Sequence, residues 1–398
     1  MTPLNIRNVR IFRLAIPMRL RFDHAAAVRE VADPIVLQIS AAAPYAHYVG
    51  YGETLARTYV TGESAGSVVQ DIADLFVPRL ASFAPRSFAE ALECIEALPT
   101  QFSGRIVTAA RAAVELALLD LAGKVFRRRP ADVAGWMGLT GFGAPGCLST
   151  ARYSGIVVGR TRRRLTALLH LQRWYGLRDF KLKVAIEGWE QRLEWAYSVL
   201  RGSIDRGQVS LRVDANSGWT LSEAEDALPL LEGNGVSAIE QPLSDHDDAH
   251  LPDLAVQTKC DLIADESLIT LNDAQRLIDG GGVRVFNIRL AKNGGLLPAL
   301  RIARLALSAG VNVQLGCLVG ETSILSAAAV GFLETCPAVR FVEGAFGKLL
   351  LREDVVRRPI RFGRRGRIAP RPDFGLGIEV DSHAVERLAV ERGRSIPL

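Results

Sequence analysis

Lysine is scarce in this chain. Of 48 basic residues only six are lysine, and the rest are arginine. Cysteine is scarce too. The five (Cys94, Cys147, Cys260, Cys317, Cys336) are odd in number, widely spread and without a C-x-x-C. That excludes a disulfide framework or a thiolate metal site, and a reduced, cytoplasmic protein is expected. No stretch approaches 18 consecutive apolar residues, so no membrane span is expected. The opening M-T-P-L-N-I-R-N-V-R-I-F lacks an apolar core and a small-residue cleavage site, so no secretory signal is expected. No G-x-G-x-x-G follows an early predicted strand, which weighs against a doubly wound dinucleotide fold. The net charge of +5 draws on two arginine groups, Arg162–Arg164 and the set Arg357, Arg358, Arg361, Arg364, Arg365, Arg367. The second group holds only Phe362 and is cut by Gly363 and Gly366. Without interleaved aromatic residues an exposed arginine hairpin is expected, not nucleic-acid binding.

What is present is apolar content of 48%, ample for a large core. The first part of the chain reads as α+β. Extended runs at residues 9–16 and 34–39 are joined by a loop around Phe22-Asp23-His24. A Gly-punctuated loop, V-G-Y-G-E-T-L-A-R-T-Y-V-T-G-E-S, follows, and helical patterns run from about 64 to 125. From about residue 150 short β-rich runs alternate with helical stretches: 152–158, 180–184, 209–214, 236–240, 260–265, 283–289, 311–316 and 339–343. Their ends are spaced 24 to 30 residues apart. Eight strands at near-constant spacing with helices between them predict a parallel α/β barrel.

In such a barrel chemistry gathers at the C-terminal strand ends. Three consecutive predicted strands end in a carboxylate: Asp214 in V-D-A-N, Glu240 in I-E-Q-P and Asp265 in A-D-E-S. Three such charges at one level repel unless a hard divalent cation shares them, and an all-oxygen set suits Mg²⁺, with Mn²⁺ as the substitute. The alternative is that each carboxylate merely caps the following helix. The second strand, F-K-L-K-V, carries Lys181 and Lys183, two apart and hence on one face. A second ammonium and a nearby cation should lower a lysine's pKa there and make it a usable base, which arginine is not.

K-x-K, D-x-N, E-Q-P and D-E-S, in this order and spacing, resemble the enolase superfamily and its muconate-lactonizing-enzyme subgroup. Y-G-E-T-L-A-R-T-Y-V-T-G-E looks like that family's mobile cap loop, and A-A-V-E-L-A-L-L-D-L-A-G-K like its last cap helix. The resemblance implies a modified (β/α)7β TIM-type barrel with an α+β N-terminal capping domain. Residues 1–130 would form the cap, completed by about 369–398, and 131–368 the barrel. It implies Asp214, Glu240 and Asp265 as Mg²⁺ ligands, Lys183 as acid/base and Lys181 as its electrostatic neighbour. The shared chemistry is abstraction or return of the proton α to a carboxylate, an arrangement of base and metal known for this superfamily. A homo-oligomer, octamer or dimer, is implied as well. Substrate contacts are expected from Phe22, His24, Tyr51, Arg57, Asn216, Lys292 and Glu343.

The chain departs from the pattern at the sixth strand. Arg289, in F-N-I-R-L, stands where the subgroup places a second lysine on the opposite face of the substrate. Two-base racemisation needs a proton acceptor on each face. A guanidinium is a poor acceptor but a good fixed cation. One-base cycloisomerisation or β-elimination of a small carboxylate is therefore the leading expectation. The alternatives are an N-acyl amino acid racemase or epimerase using Lys292 or Arg289, and a carboxylate-binding homologue without catalysis. Strand parity turns Lys292 away from the side of Arg289. An extra residue in G-C-L-V-G-E-T-S puts a role for Glu321 in doubt. V-E-G-A-F-G stands where dipeptide epimerases carry D-x-D, so a dipeptide substrate is not expected. His246 and His250 have helical ligand spacing in a polar segment, where a solvated turn is the simpler reading.

Overall fold

The computed structural model describes residues 2–24, 27–144 and 146–398, with the side chains of 20–29 outside that description. Eight parallel strands form one continuous sheet in chain order. They are Gly155–Val157, Asp179–Lys183, Ser210–Asp214, Val236–Glu240, Asp261–Ala264, Val283–Ile288, Asn312–Leu315 and Val339–Val342. The ring closes where Tyr153 pairs with Val342, and Ser154 N donates to Val342 O at 2.8 Å. Between consecutive strands lie Arg162–Tyr175, Trp189–Ile204, Leu221–Gly233, Leu251–Val256, Leu271–Gly280, Leu296–Ser308 and Ser323–Thr335. Eight strands and seven intervening helices make the (β/α)7β barrel. Threonine starts several of these helices. Thr220 with Glu223 and Thr270 with Asp273 form reciprocal capping boxes that satisfy otherwise orphaned backbone donors.

The N-terminal part is built on an antiparallel sheet in the order Arg394–Pro397, Ile6–Arg13, Ile35–Ala41, Val49–Thr54. The last strand of the chain thus lies beside the first. Helix Thr108–Phe126 packs across the sheet and is buried along almost its whole length. Two sequence expectations change here. The Gly-rich stretch read as a loop begins as the strand Val49–Thr54. Its glycines serve close packing, because a Cβ on Gly50 would sit 2.2 Å from Ala117 O and one on Gly52 2.0 Å from Ala113 O. Residues 22–24, read as a loop, end the strand Ile16–His24, which pairs with Ala27–Ala32.

The cap is fastened to the barrel by two buried glutamates at helix N-termini. Glu53 accepts from Thr322 N (2.7 Å), Thr322 Oγ1 (2.6 Å) and Leu325 N (2.9 Å), at the start of Ser323–Thr335. Glu115, held by Arg111, accepts from Leu297 N at 2.8 Å, at the start of Leu296–Ser308. Each accepts from backbone N–H groups that a helix start leaves without an intrahelical partner.

Candidate active site

Strand register sets the site. Lys183 on the second strand pairs with Asp214 on the third, and Asp214 with Glu240 on the fourth. Asp265 follows the fifth strand directly. Asp214, Glu240 and Asp265 are all fully buried. As they stand, they are spaced by cationic side chains rather than closed around one point. Lys181 Nζ lies 3.1 Å from both Asp214 Oδ2 and Glu240 Oε1, and 2.6 Å from Glu343 Oε1. Arg289 binds Asp265 and lies 3.6 Å from Glu240 Oε1.

Lys183, with 23% of its side chain exposed, donates to Asp214 Oδ2 at 2.8 Å and to Asn216 Oδ1. Lys181 has three carboxylates around it. Burial pulls its ammonium down, but Glu240, Glu343 and Asp214 together outweigh that and hold its pKa well above the ordinary lysine value. The sequence reading counted the like charge and the cation and missed the third carboxylate, Glu343. Burial opposes ionisation of Asp214 and Asp265, yet Lys183 and Lys181 hold the first below the usual range, and Arg289 and Lys292 the second. Glu240 is pushed up to about 8 by burial and then by Asp214.

The structure distributes the expected substrate contacts unevenly. Asn216, at φ 48°, reaches Lys183. Its other end is fixed by Glu266, which accepts from Asn216 Nδ2 at 3.3 Å. Glu343 faces Lys181 and Arg212, the latter at 2.7 Å, and these two cations, working against burial, lower its pKa to about 2. Lys292 is enclosed. Its ammonium donates to Asp265 O (2.6 Å), Asp265 Oδ1 (2.8 Å) and Asn287 O (2.8 Å), so it braces the fifth strand end and does not point into open space. Tyr51 is a correction. It lies in the cap core, where its N–H donates to Asp120 Oδ2 at 2.9 Å and Lys124 sits 5.9 Å from its ring centroid; burial and Asp120 raise its phenol to about 12. Arg57 joins cap to barrel, donating to Val319 O at 3.0 Å and meeting Asp33 at 3.0 Å. The side chains of Phe22 and His24 lie outside the described residues.

Sequence reasoning missed Glu266, Arg212, Asn287 and Gln314. Asn287 Nδ2 and Gln314 Nε2 donate to Glu240 at 2.9 and 2.8 Å. The signal was present: each is an amide with an apolar residue on either side, Phe286 and Ile288 in one strand and Val313 and Leu315 in the other. Glu321 lines a small recess with Arg289 and Cys317, and burial and Glu53 push its pKa well up. His246 and His250 are exposed on a 3-10 turn, Asp245–His250. The Arg364–Gly366 segment is a short 3-10 turn rather than a hairpin.

A capped parallel barrel whose consecutive strand ends converge on lysines and buried carboxylates defines a class of α/β-barrel enzymes. A family model described as "Enolase C-terminal domain-like" matches residues 165–384. Muconate cycloisomerase 1 of Pseudomonas putida is 30% identical over 282 residues, covering 71% of this chain and 72% of that protein. A hydrophobic dipeptide epimerase of Enterococcus faecalis is 27% identical over 324 residues, covering 81% and 84%. The solved muconate lactonizing enzyme from Pseudomonas putida superimposes with a TM-score of 0.78 at 25% identity, over 97% of this chain and 99% of that one. The chain belongs to the enolase superfamily, in its muconate-lactonizing-enzyme subgroup.

Proposed function

We propose that this protein moves the proton α to the carboxylate of a small substrate, with Lys183 as its single base. The observation that carries this reading is the asymmetry of the mouth. The Lys183 side chain is partly exposed and held by Asp214 and Asn216, whereas Arg289, directly after the sixth strand, is a guanidinium bound to Asp265. In the forward sense Lys183 enters as the neutral amine: the Cα–H bond breaks, its proton goes to the Nζ lone pair to form the ammonium, and the electron pair spreads into the substrate carboxylate. Lys181, kept cationic by its three carboxylates, and Arg289 offer fixed positive charge to that developing anion. One base on one face supports syn cycloisomerisation or β-elimination.

The chemistry of the donor set fits a hard divalent cation: Asp214, Glu240 and Asp265 offer only oxygen, on three adjacent strand ends. These residues would hold Mg²⁺, which supplies Lewis-acid stabilisation of charge on the substrate carboxylate. The relatives that support this reading include a cycloisomerase and an epimerase, so racemisation is the second reading. The enclosure of Lys292 weighs against its serving there as the second base. The described cysteines are all free, which fits a reducing cytoplasm, and we carry the homo-oligomer forward as part of the proposal.

The test is α-proton exchange in D₂O, read by NMR across acid sugars, N-acyl amino acids and muconate-type lactones. Exchange with retention, lost in Lys183→Ala and on EDTA treatment, is the expected result. Exchange that survives Lys183→Ala sinks the assignment of the base, and exchange that survives EDTA sinks the metal.

A further inference from the structure

At the opposite end of the barrel, where strands begin, a recess of about 500 Å³ including its open mouth is lined by Arg152, Arg178, Asp179, Arg365 and Arg367. Asp179 and Lys183 are the two ends of one strand, so the recess lies about 13 Å from the proposed base at roughly 3.3 Å per residue. Four guanidinium groups face one carboxylate, and that carboxylate already accepts from Ser210 Oγ at 2.6 Å. Among the described residues, the guanidinium groups of Arg178, Arg365 and Arg367 meet no carboxylate partner. Arg152 donates only to the carbonyls of Ser149 and Ala151, both at 2.6 Å.

This concentration of charge is held in place. Tyr153 N donates to Gly366 O at 2.9 Å, and a Cβ on Gly366 would sit 2.5 Å from Tyr153 O, so the arginine turn is pressed against the barrel floor. Arg365 takes a left-handed backbone at φ 62°, and its Cγ lies where a Cβ on Gly176 would be, 2.7 Å away. Beside the recess, burial and then Arg178 and Arg206 lower the pKa of Arg173. The positive field there is therefore felt by a neighbouring side chain. Like charges fixed together are unfavourable unless an anion shares them, and arginine forks match phosphoryl and carboxylate groups two bonds at a time.

We propose that this floor recess binds a small multivalent oxyanion, one carrying two or more phosphoryl or carboxylate groups. The site is separate from the barrel mouth and requires nothing of the reaction proposed there.

Isothermal titration of the full chain without added metal tests it, with inorganic pyrophosphate in one arm and citrate in the other. One anion per chain should bind, more weakly at higher salt. Arg178→Ala/Arg367→Ala should weaken binding at least tenfold, while Lys183→Ala leaves it unchanged. Pyrophosphate binding without citrate binding assigns the site to phosphoryl ligands, and the reverse to carboxylates. The proposal fails if neither anion gives heat beyond that of sodium chloride at equal ionic strength. It also fails if Lys183→Ala abolishes binding while the arginine pair does not, because the anion then sits at the mouth. A third failure is that the arginine pair changes the sedimentation coefficient and neither anion binds, because the recess is then covered by a second copy. Circular dichroism on both variants confirms that they fold.

Discussion

The two halves of the barrel mouth are built differently. The half formed by the second and third strands carries Lys183, partly exposed and held through side-chain contacts to Asp214 and Asn216. The half formed by the sixth and seventh strands carries Arg289 and Lys292, both buried, and it is where the cap is fastened through Arg57 to Val319 and Glu53 to Thr322. In the proposed reaction the first half exchanges the proton, and the second holds charge and the cap in place. A site of this kind needs both properties and has separated them between its walls.

The largest effect should come from the half that carries Lys183. Lys183→Ala should lower α-proton exchange by about 10²–10⁴-fold, the usual worth of a positioned acid/base. Quench experiments in D₂O would show it. A loss below tenfold would mean that the base lies elsewhere and the two halves do not differ as described.

The fixed half should respond through stability. Lys292→Met removes an ammonium whose contacts are two carbonyls and the buried Asp265 carboxylate. Leaving that carboxylate to Arg289 alone should destabilise the fold by about 3–5 kcal/mol, as for a broken buried ion pair. Urea denaturation measures this. A change under about 1 kcal/mol would show that Lys292 is not a brace.

Arg289→Lys converts the fixed wall into a titratable one. It should add exchange with inversion where the parent gives retention. A rise in inversion of more than about tenfold, or roughly 1.4 kcal/mol in barrier, would show that the missing amine sets the stereochemistry. No inversion would place the restriction in substrate binding.

The barrel was legible because its signals are local and periodic. Strand ends recur every 24 to 30 residues, and the residues at those ends included Asp214, Glu240 and Asp265. The shared face of Lys181 and Lys183 followed from strand geometry alone. What was not legible depends on partners far along the chain. Gly50 and Gly52 looked like loop glycines because the helix that needs their bare backbone lies some 60 residues on. Tyr51 looked like a cap-loop contact for the same reason. The hold of Glu343 on Lys181 was not legible, because nothing near Lys181 in sequence announces Glu343, brought over by closure of the ring. Glu266 was visible in D-E-S but had no assigned use until Asn216 was seen to turn its acceptor toward Lys183 and its donors toward Glu266. That orientation is the one the two partners demand, since an ammonium only donates and a carboxylate accepts.

The smallest expected effect concerns the fastening of the cap to the fixed half. Burial pushes Glu53 up to about 7, with the bonds from Thr322 and Leu325 opposing it only in part. An unfolded glutamate loses its proton near its ordinary pKa of about 4.3. Between those values the folded chain holds a proton that the unfolded chain does not. The contribution of Glu53 to stability therefore falls as pH rises through this window, by at most about 1.4 kcal/mol per pH unit, and is flat on either side of it. Glu53→Gln cannot titrate. The stability difference between parent and variant, measured in urea at pH 5 and pH 7, should shift toward the variant as pH rises. A difference that stays constant between the two pH values would mean that Glu53 is ionised throughout, and that the fixed half carries its charge as carboxylate rather than as acid.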